Sequence, residues 1–121
     1  MEYYNEMRIE MKNRKMANQA FAIVRDTIRN TSIAEDCKGQ FAEFYNSLAV
    51  KKDAVIIDGI VSVYIDSFES LMTEICNALA NYLPDCEFKG FASYMETYET
   101  TVIEFKYSCN NLHLESKKTE N

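Results

Sequence analysis

Polar and apolar residues alternate over residues 3–12 of the chain. One side of this segment is mostly apolar and carries Tyr3, Asn5, Met7, Ile9 and Met11. The other side is charged and carries Glu6, Arg8, Glu10 and Lys12. A repeat of two residues with a charged opposite side is typical of a strand that buries only one face. We therefore predict a first strand whose second face meets water or a polar partner.

Apolar residues then recur at steps of three and four, which predicts an amphipathic helix over residues 14–30. The repeat consists of Met16, Ala20, Phe21, Val24 and Ile28. Asn13 precedes it and offers a side-chain oxygen to the free N–H groups of the first turn. A weaker repeat predicts a second helix over residues 34–48, although Gly39 within it costs about 1 kcal/mol relative to alanine.

Two β-branched runs, Ala54–Ile57 and Ile60–Ile65, flank Asp58-Gly59. An Asp-Gly pair between such runs favours a hairpin, because both residues tolerate the positive φ angles of a type I′ turn. The alternative is one long strand with a bulge at Gly59.

The clearest helical repeat in the chain follows and predicts a third helix. Its apolar face consists of Phe68, Leu71, Met72, Ile75, Leu79, Tyr82 and Leu83. Asp66 and Glu69 have the spacing of a capping box at its start. Pro84 ends the helix, because proline disfavours helical geometry in the residue before it.

The last third of the chain predicts strands over residues 87–96 and 101–109, joined by a short turn. Asn110-Asn111 predicts another tight turn, because asparagine adopts the left-handed conformation readily. A short strand with Leu112 and Leu114 facing inward follows. We expect a single domain over residues 1–115 and a frayed polar tail over residues 116–121.

The order of these elements predicts an α+β fold, specifically a two-layer sandwich of helices on one face of a largely antiparallel sheet. The order is ferredoxin-like (split βαβ), with an inserted helix and an extra C-terminal strand. One sheet face is then left without helices. We expect six candidate partner-binding residues on it: Glu6, Arg8, Glu10, Lys12, Tyr64 and Tyr94. The alternative is a plainly solvated sheet face.

Charge and composition narrow the function classes. The 121 residues include 13 Lys+Arg and 19 Asp+Glu, a formal net charge of −6, which disfavours direct binding to nucleic acid or anionic lipid. The first residues lack a basic region followed by an apolar run, and no apolar stretch is long enough to span a membrane. We therefore expect a cytoplasmic protein without membrane contact.

Residues able to carry chemistry are few. The four cysteines lack metal or redox spacing, so we expect free thiols, with a Cys76–Cys86 disulfide as the alternative. The single histidine, His113, falls in a predicted surface strand. A divalent ion held by Glu96, Glu99 and Glu104 is the weaker alternative to solvated acids. We predict no catalytic, cofactor-binding or metal-binding residues.

These observations favour a small acidic, non-enzymatic protein-interaction module. It would be a regulator or inhibitor that docks on a larger protein, for example one that binds nucleic acid. A homodimeric ligand-binding or sensory domain is the first alternative, because folds of this class often bury the open sheet face between copies. An enzyme without a recognisable motif is the second alternative.

Overall fold

The computed structural model describes residues 4–33, 38–58, 68–95 and 98–120. These residues form an α+β protein with a six-stranded antiparallel sheet and three helices. The elements are β1 (Tyr4–Glu10), α1 (Arg14–Asn30), α2 (Lys38–Asn46), β2 (Leu48–Lys51), β3 (Ala54–Ile57), α3 (Phe68–Tyr82), β4 (Phe88–Met95), β5 (Glu99–Ser108) and β6 (Asn111–Glu120).

The strands lie in the order β2-β3-β1-β4-β5-β6, and each neighbouring pair is antiparallel. β1 therefore lies inside the sheet, where Ile9 is opposite Val55 of β3 and Gly90 of β4. A Cβ atom added to Gly90 would lie 1.9 Å from the carbonyl oxygen of Arg8. Glycine thus permits the close approach of β4 to β1 at this point.

The predicted alternation of β1 is confirmed. Asn5, Met7 and Ile9 are buried on one side, whereas Glu6 is exposed on the other. Within residues 4–12, the described part of the predicted segment, the strand covers Tyr4–Glu10 and ends before Met11. The period of two therefore predicted correctly which side of the strand is buried.

The predicted first helix is confirmed, and so is its cap. The Asn13 side-chain oxygen accepts a hydrogen bond of 2.9 Å from the Met16 backbone N–H. The helix buries Ala17, Ala20, Val24 and Ile28, while Met16 and Phe21 are only partly buried. The buried stripe is thus slightly rotated from the predicted one, because small alanine side chains allow α1 to approach its neighbours closely.

The predicted third helix is also confirmed. α3 ends at Tyr82, just before Pro84, and its buried residues are Phe68, Leu71, Met72, Ile75, Cys76 and Leu79. Tyr82 was expected on the buried face, but it is 74% exposed. The proposed cap residue Asp66 lies outside the described residues.

Helices α1 and α3 pack against each other and on the same side of the sheet, as predicted. Their buried residues join Ile9, Val55 and Ile103 from the sheet in one hydrophobic core. The Thr31 hydroxyl, just after α1, donates a hydrogen bond to the Glu74 carboxylate of α3. The two helices are therefore fixed to each other by packing and by a polar contact.

The region around β2 differs from the prediction. The expected helix over 34–48 ends at Asn46, and Leu48 already belongs to a strand. The β2–β3 hairpin turns at Lys52-Asp53, where Lys52 has a φ of 56°. A left-handed lysine carries no turn signal in the sequence, which explains the error. The predicted hairpin at Asp58-Gly59 and the strand over 60–65 lie outside the described residues from position 59 onward.

The last hairpin is displaced by one residue from the prediction. Cys109 and Asn110, not Asn110 and Asn111, have positive φ values of 52° and 62°. β6 continues to Glu120, so residues 116–120 belong to a strand and do not form the frayed tail expected over 116–121. Its polar composition comes from its place at the sheet edge, where few side chains are buried.

Candidate functional site

The sheet has an open face, opposite the side that packs on α1 and α3. Alternation and register place on it every second residue of each strand. Its members are Ala49 and Lys51; Ala54 and Ile56; Tyr4, Glu6, Arg8 and Glu10; Lys89, Phe91, Ser93 and Met95; Thr100, Val102, Glu104, Lys106 and Ser108; and Asn111, His113, Glu115, Lys117 and Thr119. Within the described ranges, no helix packs on this face.

Three of the six candidate residues share this open face: Glu6, Arg8 and Glu10. Lys12 is exposed beyond the end of β1. Tyr64 lies outside the described residues. The expectation for Tyr94 is wrong: it lies opposite Asn5 on the helix side, is 7% exposed and packs with its ring centroid 6.0 Å from that of Phe68.

Sequence reasoning missed the apolar residues of the open face. Phe91 lies opposite Arg8 near the centre of the sheet and is partly exposed. Met95 and Tyr4 lie opposite each other and are each 40% exposed. β4 carries aromatic and apolar residues on both of its sides, so periodicity alone cannot say which side faces the core. The register with β1 decides it.

Charged residues of like sign lie opposite each other on this face. Lys89 lies opposite Lys106, and Glu104 lies opposite Glu115. Like charges in directly opposed positions of an antiparallel pair are destabilising. The Arg8–Glu10 ion pair of β1, with Nε 3.1 Å from Oε1, involves none of these four residues. The open face is therefore not arranged to give the isolated molecule its greatest stability.

The acidity of the chain lies elsewhere. Among the residues named above, the open face has four carboxylates and five lysine or arginine side chains, so it carries no excess of negative charge. Residues 53–88, by contrast, contain seven acids and no lysine or arginine. A partner of the open face would therefore meet both signs of charge around an apolar centre.

Two of the depressions on the surface of the described residues lie near residues able to carry chemistry. The first, about 390 Å³, lies on the open face around Phe91 and is bordered by Arg8, Lys106 and His113. The second, about 990 Å³, is an open groove at the start of α1, where Cys86 Sγ lies 3.2 Å from Met16 Sδ. His113 Nε2 lies 3.9 Å from Glu115 Oε2, and both side chains are more than half exposed. Neither depression brings a nucleophile into hydrogen-bond contact with a base among the described residues.

The cysteines with described positions are free thiols, so the alternative of a Cys76–Cys86 disulfide is wrong. Cys76 is buried, Cys86 is partly buried and Cys109 is exposed. Burial raises the pKa of the Cys76 thiol to about 12, because the thiolate would lose its hydration. Cys76 is therefore a neutral, unreactive core residue at neutral pH.

The weaker hypothesis of a divalent-ion site does not fit the geometry. Glu99 and Glu104 are five positions apart on one strand and so face opposite sides of the sheet. Glu99 lies 3.7 Å from Lys118 Nζ instead. Glu96 lies outside the described residues. No group of three or more His, Cys, Asp or Glu side chains among the described residues could hold a metal ion.

Comparisons with known proteins do not assign the chain to a family. It matches no protein-family model, and neither the curated proteins nor the solved structures contain a significant match. Across the described ranges, none of the helices has the length and apolar character needed to cross a lipid bilayer.

Proposed function

We propose that this protein is a small, acidic, non-enzymatic interaction module whose open sheet face docks on a protein partner. In this role it would regulate or inhibit that partner by covering part of its surface. We also propose that the fold is ferredoxin-like. The strand order β2-β3-β1-β4, with α1 and α3 on one side, supports a ferredoxin-like core extended by β5 and β6.

The observation that carries the proposal is the apolar centre of the uncovered face. Phe91, Ile56 and Val102 are partly exposed there, and Tyr4 and Met95 extend the apolar surface to one end. Protein interfaces commonly combine a central group of aromatic and methionine side chains with a polar rim. The surrounding glutamates and lysines provide such a rim.

The balance of charge on this face indicates what kind of partner fits. A polyanion would be attracted by the lysines of this face but repelled by Glu6, Glu104 and Glu115 among them. A protein surface with its own apolar centre and both signs of charge would be complementary. We therefore expect apolar contacts to provide the affinity for the protein partner and charged residues to orient it, without direct binding to nucleic acid.

A capture experiment with matched variants tests the proposal. The open-face variant Phe91→Ala/Met95→Ala removes the apolar centre, whereas the control Tyr82→Ala/Tyr98→Ala removes two aromatic side chains exposed elsewhere. Immobilised wild-type and variant proteins are exposed to the same lysate, and bound proteins are quantified by mass spectrometry. Thermal unfolding of each variant verifies that it is folded.

We expect one specific protein to be retained by the wild type and by the control, and to be lost from the open-face variant. Truncation of a hot-spot residue at the centre of an interface weakens binding by about 2 kcal/mol or more, roughly thirtyfold. Equal retention by all three proteins would contradict a role for the open face.

A further inference from the structure

The two edges of the sheet are very different. β2, at one edge, has four residues, whereas β6, at the other, has ten. β6 pairs with β5 along its whole length, from Asn111 to Glu120, without a bulge. No described strand pairs with its outer side. A long, regular edge strand is a template for pairing with another chain, and proteins usually avoid one by shortening or bending it.

The outer side of β6 offers backbone groups at alternate residues. Ser108 and Asn111 close the two-residue turn and face each other across the hairpin. In an antiparallel ladder, residues alternately direct their N–H and C=O groups toward one neighbour and the other. Counting from Asn111, the outward groups belong to Leu112, Leu114, Ser116, Lys118 and Glu120. A second antiparallel strand must therefore place its own outward residues opposite these.

Among the registers that satisfy this requirement, one makes β6 complementary to itself. When the twofold axis passes through Ser116, Glu115 lies opposite Lys117 of the second copy, and Lys117 lies opposite Glu115. The pairing then extends over residues 112–120 of both copies. Opposed charges in such positions stabilise an antiparallel pair.

The neighbouring registers are less favourable. An axis through Glu115 places the two Glu115 carboxylates opposite each other, and an axis through Lys117 does the same with the two lysines. An axis through Leu114 pairs His113 with Glu115 but limits the overlap to residues 111–117. Lysine on an edge strand normally discourages pairing. When the axis passes through Ser116, however, Lys117 lies opposite Glu115 of the second copy.

We propose that β6 is a self-association edge, on which a second copy of this chain adds its own β6 antiparallel about Ser116. One sheet then continues through both copies. Main-chain hydrogen bonds provide affinity, as in other cases of strand addition, and the two Glu115–Lys117 pairs fix the register. The inference is independent of the proposed function, because the open faces of both copies stay uncovered.

Charge exchange at two positions tests the proposal. Glu115→Lys places lysines opposite each other across the axis, and Lys117→Glu places glutamates opposite each other. Each variant should associate about tenfold more weakly than the wild type, because two favourable pairs become two repulsive ones. An equimolar mixture of the two variants should restore the dimer as a heterodimer, and the double variant Glu115→Lys/Lys117→Glu should restore the homodimer. Sedimentation equilibrium measures all four.

Control variants separate the edge from other surfaces. Lys15→Glu and Glu43→Lys make the same charge changes on exposed helix positions and should not alter association. Ser116→Pro removes an outward N–H at the axis without removing a bond to β5, so it should give a folded monomer by circular dichroism. The open-face variant Phe91→Ala/Met95→Ala should remain dimeric.

Three results would overturn the proposal. The first is a wild-type protein that stays monomeric at roughly 100 µM, well above the micromolar range of weak complexes. The second is a dimer that is unaffected by both charge variants. The third is a dimer that the Phe91→Ala/Met95→Ala variant abolishes, since association would then use the open face. Failure of the capture experiment leaves this test unchanged, so the two proposals fail separately.

Discussion

On the helix side of β1, Asn5, Met7 and Ile9 are at most 3% exposed, whereas on the open side Glu6 is exposed and Arg8 and Glu10 are partly exposed. The helix side belongs to a single hydrophobic core that also contains α1 and α3. Elsewhere on the open face, Lys89 lies opposite Lys106 and Glu104 lies opposite Glu115. The comparison teaches that burial on one face supplies the stability, which leaves the composition of the other face free to serve contact with another molecule.

The largest effect is expected from a truncation on the helix side. Leu79→Ala removes a fully buried side chain of α3 and should lower the free energy of unfolding by about 2–5 kcal/mol. Urea denaturation followed by circular dichroism measures it. A loss below about 0.5 kcal/mol, which is ordinary for surface positions, would show that the two faces do not differ as described.

An intermediate effect is expected from alkaline pH, and it also comes from the helix side. The pKa of Cys76 is raised from 9.0 to about 12, so the unfolded chain loses this proton at a lower pH than the folded one. The contribution of Cys76 to stability is complete below pH 9 and decreases by about 1.4 kcal/mol per pH unit between pH 9 and 12.

The Cys76→Ala variant is the control for this prediction. The free energy of unfolding is measured against pH for both proteins, and the difference between the two curves isolates the thiol from the other groups that titrate. We expect the wild-type curve to fall more steeply above pH 9. Parallel curves would show that Cys76 is not buried in solution.

The smallest effect on stability is expected on the open face. Glu6→Lys/Glu10→Lys reverses two charges there and breaks the Arg8–Glu10 ion pair. Both side chains of this pair are more than a third exposed. Exposed pairs contribute about 0–1 kcal/mol, so unfolding should change little. The same variant should weaken binding of the captured partner. Failure to fold would show that these side chains are buried.

Long periodic segments could be predicted from the sequence. β1, α1 and α3 each repeat over several residues with an apolar side that must be buried, and Asn13 and Pro84 mark helix ends by local chemistry. That the two helices share one sheet side also followed, because both stripes need the same core.

Other features depend on contacts that the sequence does not reveal. β2 and β3 have four residues each, too few to show a period, and their turn uses a left-handed Lys52. β6 is polar because it lies at an edge, so its sequence resembles a tail. For the open face, alternation placed Glu6, Arg8 and Glu10, but the positions of Tyr94 and Phe91 required the register between β1 and β4.

The interior position of β1 has a consequence for how the chain assembles during synthesis. Tyr4–Glu10 precedes every other described strand, yet its two neighbours are β3 and β4. At Ile9, β1 can therefore pair on both edges only after Val55 and then Gly90 have left the ribosome. Such distant pairings slow folding, because a long loop must close before the contact forms. In a nascent chain that ends before β4, one edge of β1 would be left unpaired.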